Sequence, residues 1–130
     1  MWPHPPPVAQ RLWSDIFAAA GVVRPADLPR VPAEDDFERS VDGLSGLLRR
    51  SGYADVVGSE VSWIHSTSPE AWWNGAAAGI GATGAVLTAQ DSATRGRVRL
   101  HFDKLTAPFV GGDGLLSLPT SAVLVSGRVR

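Results

Sequence analysis

Cysteine is absent from the 130 residues of this chain. Disulfide bonds, thiolate zinc sites and cysteine nucleophiles are therefore excluded. Histidine is scarce as well: there are three, His4, His65 and His101, and no two of them have the i, i+4 spacing of helical metal ligands. We predict no catalytic residue of the acid–base or nucleophile kind, and no metal site.

An excess of charge of one sign is also missing. Twelve Lys and Arg residues stand against 13 Asp and Glu residues, which gives a formal net charge of −1. The densest basic group is Arg95, Arg97 and Arg99. Such a balance exerts no long-range attraction on phosphate backbones or anionic lipids, so neither nucleic acid nor a membrane is expected as a partner.

Long apolar runs are missing too. The longest uncharged apolar stretch, residues 75–89, is mostly Ala and Gly, and it is shorter than the roughly 20 residues of a membrane-spanning helix. The Pro-rich residues 1–7 contain neither the basic segment nor the apolar run of a signal peptide. These patterns predict a soluble, cytoplasmic protein.

The first half of the chain has the pattern of two helices within residues 8–52. Apolar residues recur at helical spacing over residues 8–20, and Gly21 is a suitable C-terminal stop. A second helix is expected after Ser40, because its hydroxyl can cap an N-terminus. Gly43 is expected to weaken the exposed side of this helix by up to ~1 kcal/mol relative to Ala.

The second half predicts a strand, a helical insert and a final strand. Residues 54–66 alternate in polarity as a strand does. Ser68 and Asp91 are typical N-caps, and they predict helices within the insert, residues 68–109. Residues 119–129 form an apolar, β-branched run that is typical of a strand.

The final strand indicates an incomplete sheet. Ala122 and Leu124 lie on one of its faces, and Val123 and Val125 lie on the other, so we predict burial on both faces. Such a strand belongs inside a sheet, with neighbours at both edges. Because only one other strand is predicted, we expect residues 1–130 to be a single partial domain whose sheet is completed by another segment or chain.

Four segments together match the pattern of one known family. They are MWP at residues 1–3, FERSVDGLSGLLRRSGYAD at 37–55, SPEAWW at 68–73 and DGLLSLPTSA at 113–122. In this order they resemble the C-terminal half of class I S-adenosylmethionine-dependent methyltransferases, especially small-molecule enzymes of actinobacteria. The segments are similar to the end of the fifth strand, the entry to the sixth strand, the start of the next helical insert and the approach to the last strand.

The resemblance implies an α/β fold, namely the C-terminal portion of a Rossmann-like methyltransferase fold with helices and a terminal antiparallel strand pair. It also implies a small-molecule methyl acceptor, and S-adenosylmethionine as the cofactor of the intact family. The family's glycine-rich cofactor loop and its ribose-binding acid have no counterpart in these residues. We therefore expect that this chain alone binds no cofactor, is inactive, and belongs with a missing N-terminal half.

One glycine motif suggests a nucleotide site at first sight. Residues 79–84 match G-x-G-x-x-G, and Asp103 follows 19 residues later. The motif binds a pyrophosphate when a strand delivers it to a helix N-terminus, whereas the preceding residues 72–78 predict a helix. We interpret these glycines as small residues that allow close helix packing.

The candidates for a substrate pocket are Trp13, Trp72, Trp73 and His101. Aromatic walls with a few polar groups are typical of small-molecule sites, although buried Trp residues more often simply pack in a core. Trp72 and Trp73 are adjacent and ~100° apart on a helix, so we expect one to pack and the other to line a cavity. His101 borders the apolar face of its helix.

Two other functions are open at this point. The chain could be a non-catalytic binding or assembly module that forms a homodimer or completes a partner's sheet, because an exposed strand edge is a template for pairing. It could also be a self-sufficient small-ligand carrier built on the Trp-rich helices.

Overall fold

A computed structural model of the chain describes all 130 residues, Met1–Arg130. It contains five α-helices, one short 3-10 helix and two β-strands, which confirms an α/β chain. In chain order these are α1 Val8–Ala19, α2 Val41–Arg50, β1 Ala54–Thr67, α3 Pro69–Ala77, α4 Gly81–Thr88, α5 Ser92–Thr106, the 3-10 helix Ala107–Phe109 and β2 Leu116–Arg128. No helix is both long enough and apolar enough to cross a membrane.

The residues group into two compact units. Unit 1 comprises Met1–Pro7, Arg30–Trp63 and Pro119–Arg130, and unit 2 comprises Val8–Pro29 and Ile64–Leu118. Unit 1 therefore holds α2 and most of both strands, whereas unit 2 holds the other helices. The chain passes from one unit to the other within β1 and again within β2.

The sheet consists of β1 and β2 paired in antiparallel fashion. At the opposite edge of β2, the Met1 amino group donates to the Val123 carbonyl at 3.3 Å, and the Val123 N–H donates to the Met1 carbonyl at 2.6 Å. Such a reciprocal exchange is that of a hydrogen-bonded antiparallel pair. Residues 1–7 thus form no strand of regular length, but Met1 occupies the second edge of β2.

Helix α2 covers one face of the sheet in unit 1. It approaches β1 closely at Gly58, where a Cβ atom would lie 2.8 Å from Val41 Cγ1 and 3.1 Å from Val125 Cγ2. Val123 points to the side that α2 covers and is buried. Leu124 points to the opposite side, and 54% of its surface is exposed. The prediction that both faces of the last strand are buried is therefore wrong for Leu124, because unit 1 has a single helix and it lies on the Val125 side.

The predicted start of α2 is confirmed, but the predicted role of its first glycine is wrong. Ser40 Oγ accepts a hydrogen bond from the Gly43 N–H at 3.0 Å. A Cβ atom on Gly43 would overlap the backbone carbonyl of Glu38. Gly43 is thus not a weak point on an exposed side, because the chain before the helix folds back against it and leaves no room for a methyl group.

Unit 2 has a contiguous hydrophobic core. Helix α1 packs against α5, and α3 packs against α4. The predicted apolar stripe of α1 is confirmed, and α5 and the first residues of β2 complete the core. Its fully buried side chains include Ile16, Val98, Phe102, Leu116 and Leu118.

The Gly-rich segment of unit 2 forms two short helices with a tight turn between them. Gly79 and Gly81 have φ angles of +81° and +67°, which side chains other than Gly rarely adopt. A Cβ atom on Gly84 would overlap the backbone of Gly79. The interpretation that these glycines allow close packing is confirmed for Gly84, whereas Gly79 and Gly81 are needed for the backbone of the turn. The G-x-G-x-x-G motif follows helix α3 and not a strand.

The helix glycines Gly43 and Gly96 form a matched pair for a stability test. We expect Gly43→Ala to lower the free energy of unfolding by about 1–3 kcal/mol, the usual cost of inserting a methyl group where there is no space. Nothing lies within 4 Å of a Cβ atom on Gly96, so Gly96→Ala should raise the same quantity by up to ~1 kcal/mol. Urea unfolding followed by circular dichroism measures both. Equal effects of the two substitutions would contradict the close approach at Gly43.

A second test concerns the cap of α5. The Asp91 carboxylate accepts a hydrogen bond from the backbone N–H of Thr94 at 2.7 Å, and this bond is the main reason that the pKa of Asp91 is lowered. A carboxyl group with a lower pKa in the folded state stabilises that state above its unfolded pKa, and this contribution disappears as the pH falls through the folded pKa.

We therefore expect Asp91→Ala to lower the thermal unfolding temperature at neutral pH more than at strongly acid pH. Asp91→Asn is the control, because an amide oxygen still caps the helix but does not titrate. Its loss of stability relative to the native chain should be smaller at neutral pH. If Asp91→Ala lowered the thermal unfolding temperature by the same amount at every pH, this account would be refuted.

Candidate functional site

Three of the four predicted pocket residues meet in unit 2, around one phenylalanine. The centroid of the Phe102 ring lies 5.4 Å from that of Trp13, 5.7 Å from that of Trp72 and 5.2 Å from that of Trp73. Trp13 also lies 5.3 Å from Trp72 and 6.2 Å from Trp73, and 5.7 Å from Phe17. We call Trp13, Trp72, Trp73 and Phe102 the aromatic cluster.

Local sequence signals bring these rings to their positions. Trp13 belongs to the apolar stripe of α1. Ser68 Oγ accepts a hydrogen bond from the Ala71 N–H at 3.1 Å and thereby starts α3 just before its two Trp residues. Phe102 lies two turns after Thr94 on the buried side of α5. Helix caps and helical periodicity therefore account for each ring separately.

The expectation that only one of Trp72 and Trp73 packs in the core is wrong. Both indole rings contact Trp13 and Phe102, as the distances above show, and both are half-buried. Adjacent residues point ~100° apart on a helix. Two large rings opposite that helix are wide enough to fill the angle between them, so both tryptophans pack against the same partners.

Arg99 lies over the exposed side of the aromatic cluster. Its guanidinium carbon is 5.0 Å from the centroid of Trp73 and 5.5 Å from that of Phe102, which is the range of cation–π attraction. Nη2 forms an ion pair with Glu70, and Nε forms one with Asp103 at 3.0 Å.

The hydrogen bond between Arg99 and Glu70 shifts the pKa of both groups in the direction that favours their charged forms. It is the main cause that lowers the pKa of Glu70 and the main cause that raises the pKa of Arg99. Glu70 therefore stays charged to a lower pH than an unpaired glutamate, and the ion pairs with Glu70 and Asp103 hold the guanidinium against the rings. Sequence reasoning missed Arg99; the available signal was its i, i+4 spacing to Asp103.

The other two arginines of the basic group bind carbonyl groups at helix ends. Arg95 donates to the carbonyls of Thr88 and Gln90 at 2.8 and 2.9 Å. Arg97 donates to the carbonyl of Ala20 at 3.4 Å. The last carbonyls of a helix have no partner within the helix, so these side chains satisfy the C-terminal ends of α4 and α1.

His101, the fourth predicted pocket residue, is half-buried on α5 next to Phe102. Its imidazole forms no hydrogen bond or ion pair, and no group of three His, Asp or Glu side chains is arranged to hold a metal ion. The cluster itself offers aromatic surface, and beside it lies one charged guanidinium that is already paired with two carboxylates. These features can bind an apolar or planar molecule, but they supply neither a nucleophile nor a general base.

No protein-family model matches this chain, and no curated protein sequence is significantly similar to it. The methyltransferase resemblance therefore stays a prediction, as does a role of the aromatic cluster in binding. What the structure establishes for the three tryptophans is that they pack together around Phe102.

The cluster predicts a large effect of one substitution. Phe102 is fully buried, so Phe102→Ala should lower the free energy of unfolding by about 3–5 kcal/mol and shift tryptophan emission to longer wavelength as three indoles gain contact with water. His101→Ala is the neighbouring control, and we expect little change in either measurement. A small loss for Phe102→Ala in urea unfolding would show that the cluster does not hold unit 2 together.

Proposed function

We propose that this chain is the substrate-side half of an S-adenosylmethionine-dependent methyltransferase that acts on a small molecule. The observation that carries the proposal is the environment of β2. It is paired with β1 at one edge and with Met1 at the other, and helices α3–α5 lie between the two strands in sequence. The resemblance predicts this order of a strand end, an insert and a terminal antiparallel pair.

In this proposal the aromatic cluster forms part of the wall of the acceptor pocket. Trp72 and Trp73 are half-buried, so their free surface is available to a ligand while their packed surface holds them rigid. Holding reactants in the correct geometry supplies much of the rate in group transfer. A wall of this kind contributes by orienting the acceptor and excluding water, which is consistent with the lack of a nucleophile in the cluster.

The residues of this chain do not fit the cofactor. Nucleotide-binding glycine loops follow a strand, whereas residues 79–84 follow helix α3 and include the first residues of α4, and their glycines serve the close turn at Gly79 and Gly84. We propose that S-adenosylmethionine binding belongs to a separate N-terminal half, that the chain alone is inactive, and that the assembled enzyme is cytoplasmic.

Calorimetric titration with S-adenosylmethionine tests this proposal. We expect no micromolar binding to the chain alone. We also expect in-frame codons upstream of Met1 to encode a glycine-rich loop after a strand, and the extended polypeptide to bind the cofactor. Adenosine serves as the control for non-specific stacking on tryptophan. Tight cofactor binding by the chain alone, or an extended polypeptide that binds no cofactor, would overturn the proposal that a separate N-terminal half binds S-adenosylmethionine.

A second candidate function is that of a non-catalytic assembly module that self-associates or completes a partner's sheet. The specific observation is that β1, which is 14 residues long, is paired with β2 along one edge and has no partner strand along the other. Typical strands have 5–6 residues, and a sheet of two strands is at best marginally stable by itself. A free edge of this length favours pairing with a further strand.

A further inference from the structure

An aspartate or asparagine precedes a glycine at three places in this chain. The three dipeptides are Asp42–Gly43 in α2, Asn74–Gly75 in α3 and Asp113–Gly114 in the turn before β2. Glycine has no Cβ atom that shields its backbone nitrogen, so the side-chain carbonyl carbon of the preceding residue can reach that nitrogen. Closure of a ring between the two atoms gives a succinimide, provided that the peptide between the two residues can rotate.

The two helical dipeptides are held in place. The Gly43 N–H donates to Ser40 Oγ at 3.0 Å, and the backbone of Glu38 lies where a Cβ atom of Gly43 would be. The Asn74 carbonyl accepts a hydrogen bond from the Ala78 N–H at 2.9 Å. Rotation of either peptide would break hydrogen bonds of a helix, and at Gly43 it would also displace packed backbone. The fold therefore protects both dipeptides.

The third dipeptide lies in an exposed turn with open space around it. Residues 111–115 are all exposed. The Gly114 N–H donates to the Gly111 carbonyl at 3.0 Å, which closes a four-residue β-turn. A Cβ atom on Gly112 or Gly114 would have nothing within 4 Å, so there is room for the peptide between Asp113 and Gly114 to rotate. Segments with few contacts and exposed hydrogen bonds open at the lowest cost in free energy.

The Asp113 carboxyl group is folded back toward the nitrogen with which it would react. Asp113 Oδ1 accepts a hydrogen bond from the Leu115 N–H at 3.0 Å, which is the pattern of an Asx turn. The ring that this bond closes contains both Cγ of Asp113 and the Gly114 nitrogen. Proximity of two reacting groups lowers the barrier between them, so the turn favours ring closure at this dipeptide.

We propose that Asp113 is a site of spontaneous isomerisation to isoaspartate. The Gly114 nitrogen attacks Cγ of the protonated Asp113 carboxyl group. The N–Cγ bond forms, and one water molecule leaves with the carboxyl hydroxyl and the amide proton. Water then adds to the former main-chain carbonyl of Asp113 in the succinimide and breaks its bond to the Gly114 nitrogen. The chain now runs through Cγ of Asp113, and its mass is unchanged.

The product lengthens the backbone at the entry to β2, because the new path adds one methylene group. Val110 and Leu116 form an isolated antiparallel bridge across this turn, and the Gly111 N–H donates to the Leu115 carbonyl at 2.8 Å. Leu116 and Leu118 are fully buried in the core of unit 2. The bridge and the position of these leucines fit the shorter turn, so we expect the isomerised chain to be less stable.

Ageing of the native chain tests the proposal, and Asp42 is the matched control because it also precedes a glycine. In the folded chain at mildly acid pH, we expect isoaspartate to form at least about tenfold faster at Asp113 than at Asp42. This ratio corresponds to a difference of about 1.4 kcal/mol in free energy of activation. Trypsin places the two residues in separate peptides, because Arg39, Arg49 and Lys104 lie between or beside them. Electron-transfer fragmentation then distinguishes isoaspartate from aspartate.

The same measurement in concentrated urea separates the effect of the fold from that of the dipeptide. We expect the two rates to become similar there, because unfolding removes the helix that protects Asp42. Similar rates at the two residues in the folded chain, or no isoaspartate at Asp113 in the folded chain, overturns the proposal.

Asp113→Glu tests the consequence for stability, since the extra methylene of Glu makes the corresponding ring six-membered and much slower to close. We expect ageing to lower the thermal unfolding temperature of the native chain in proportion to its isoaspartate content. Aged and fresh Asp113→Glu should unfold at the same temperature. An equal loss in both aged proteins, or an isomerised native chain with an unchanged unfolding temperature, overturns the effect on the core.

Discussion

The burial of Phe102 among three tryptophans is the interaction on which unit 2 depends. Trp13 comes from α1, the Trp72–Trp73 pair from α3 and Phe102 from α5, so one set of ring contacts joins three helices that are distant in sequence. Aromatic side chains each bury 150–250 Å². Few other residues could fill the space between short helices that are rich in Ala and Gly.

Steric room is the corresponding constraint on the backbone. At Gly43 and Gly84 a neighbouring carbonyl or backbone segment occupies the place of a side chain, and at Gly58 helix α2 does so. Gly lowers helix propensity by ~1 kcal/mol, but here it permits the close approach of chain segments. The high glycine content of this chain thus reflects close packing as well as turns.

The two proposed functions concern opposite edges of the sheet. Met1 lies at the free side of β2, where the resemblance expects the strand of a larger sheet, and β1 carries the unprotected edge. Completion of the sheet at one edge does not block pairing at the other. A methyltransferase half whose β1 edge also pairs with a further strand is therefore physically consistent.

Local signals in the sequence determined where most elements begin and end. Ser40, Ser68 and Asp91 accept the expected capping hydrogen bonds, because a cap is a contact between residues three apart. Other features depended on residues that are distant in sequence or on the neighbouring element. They include the fold-back onto Gly43, the shared partners of the two tryptophans, the exposure of Leu124 and the placement of Arg99 over the rings. Periodicity assigns a side chain to a face, but only the tertiary structure decides what covers that face.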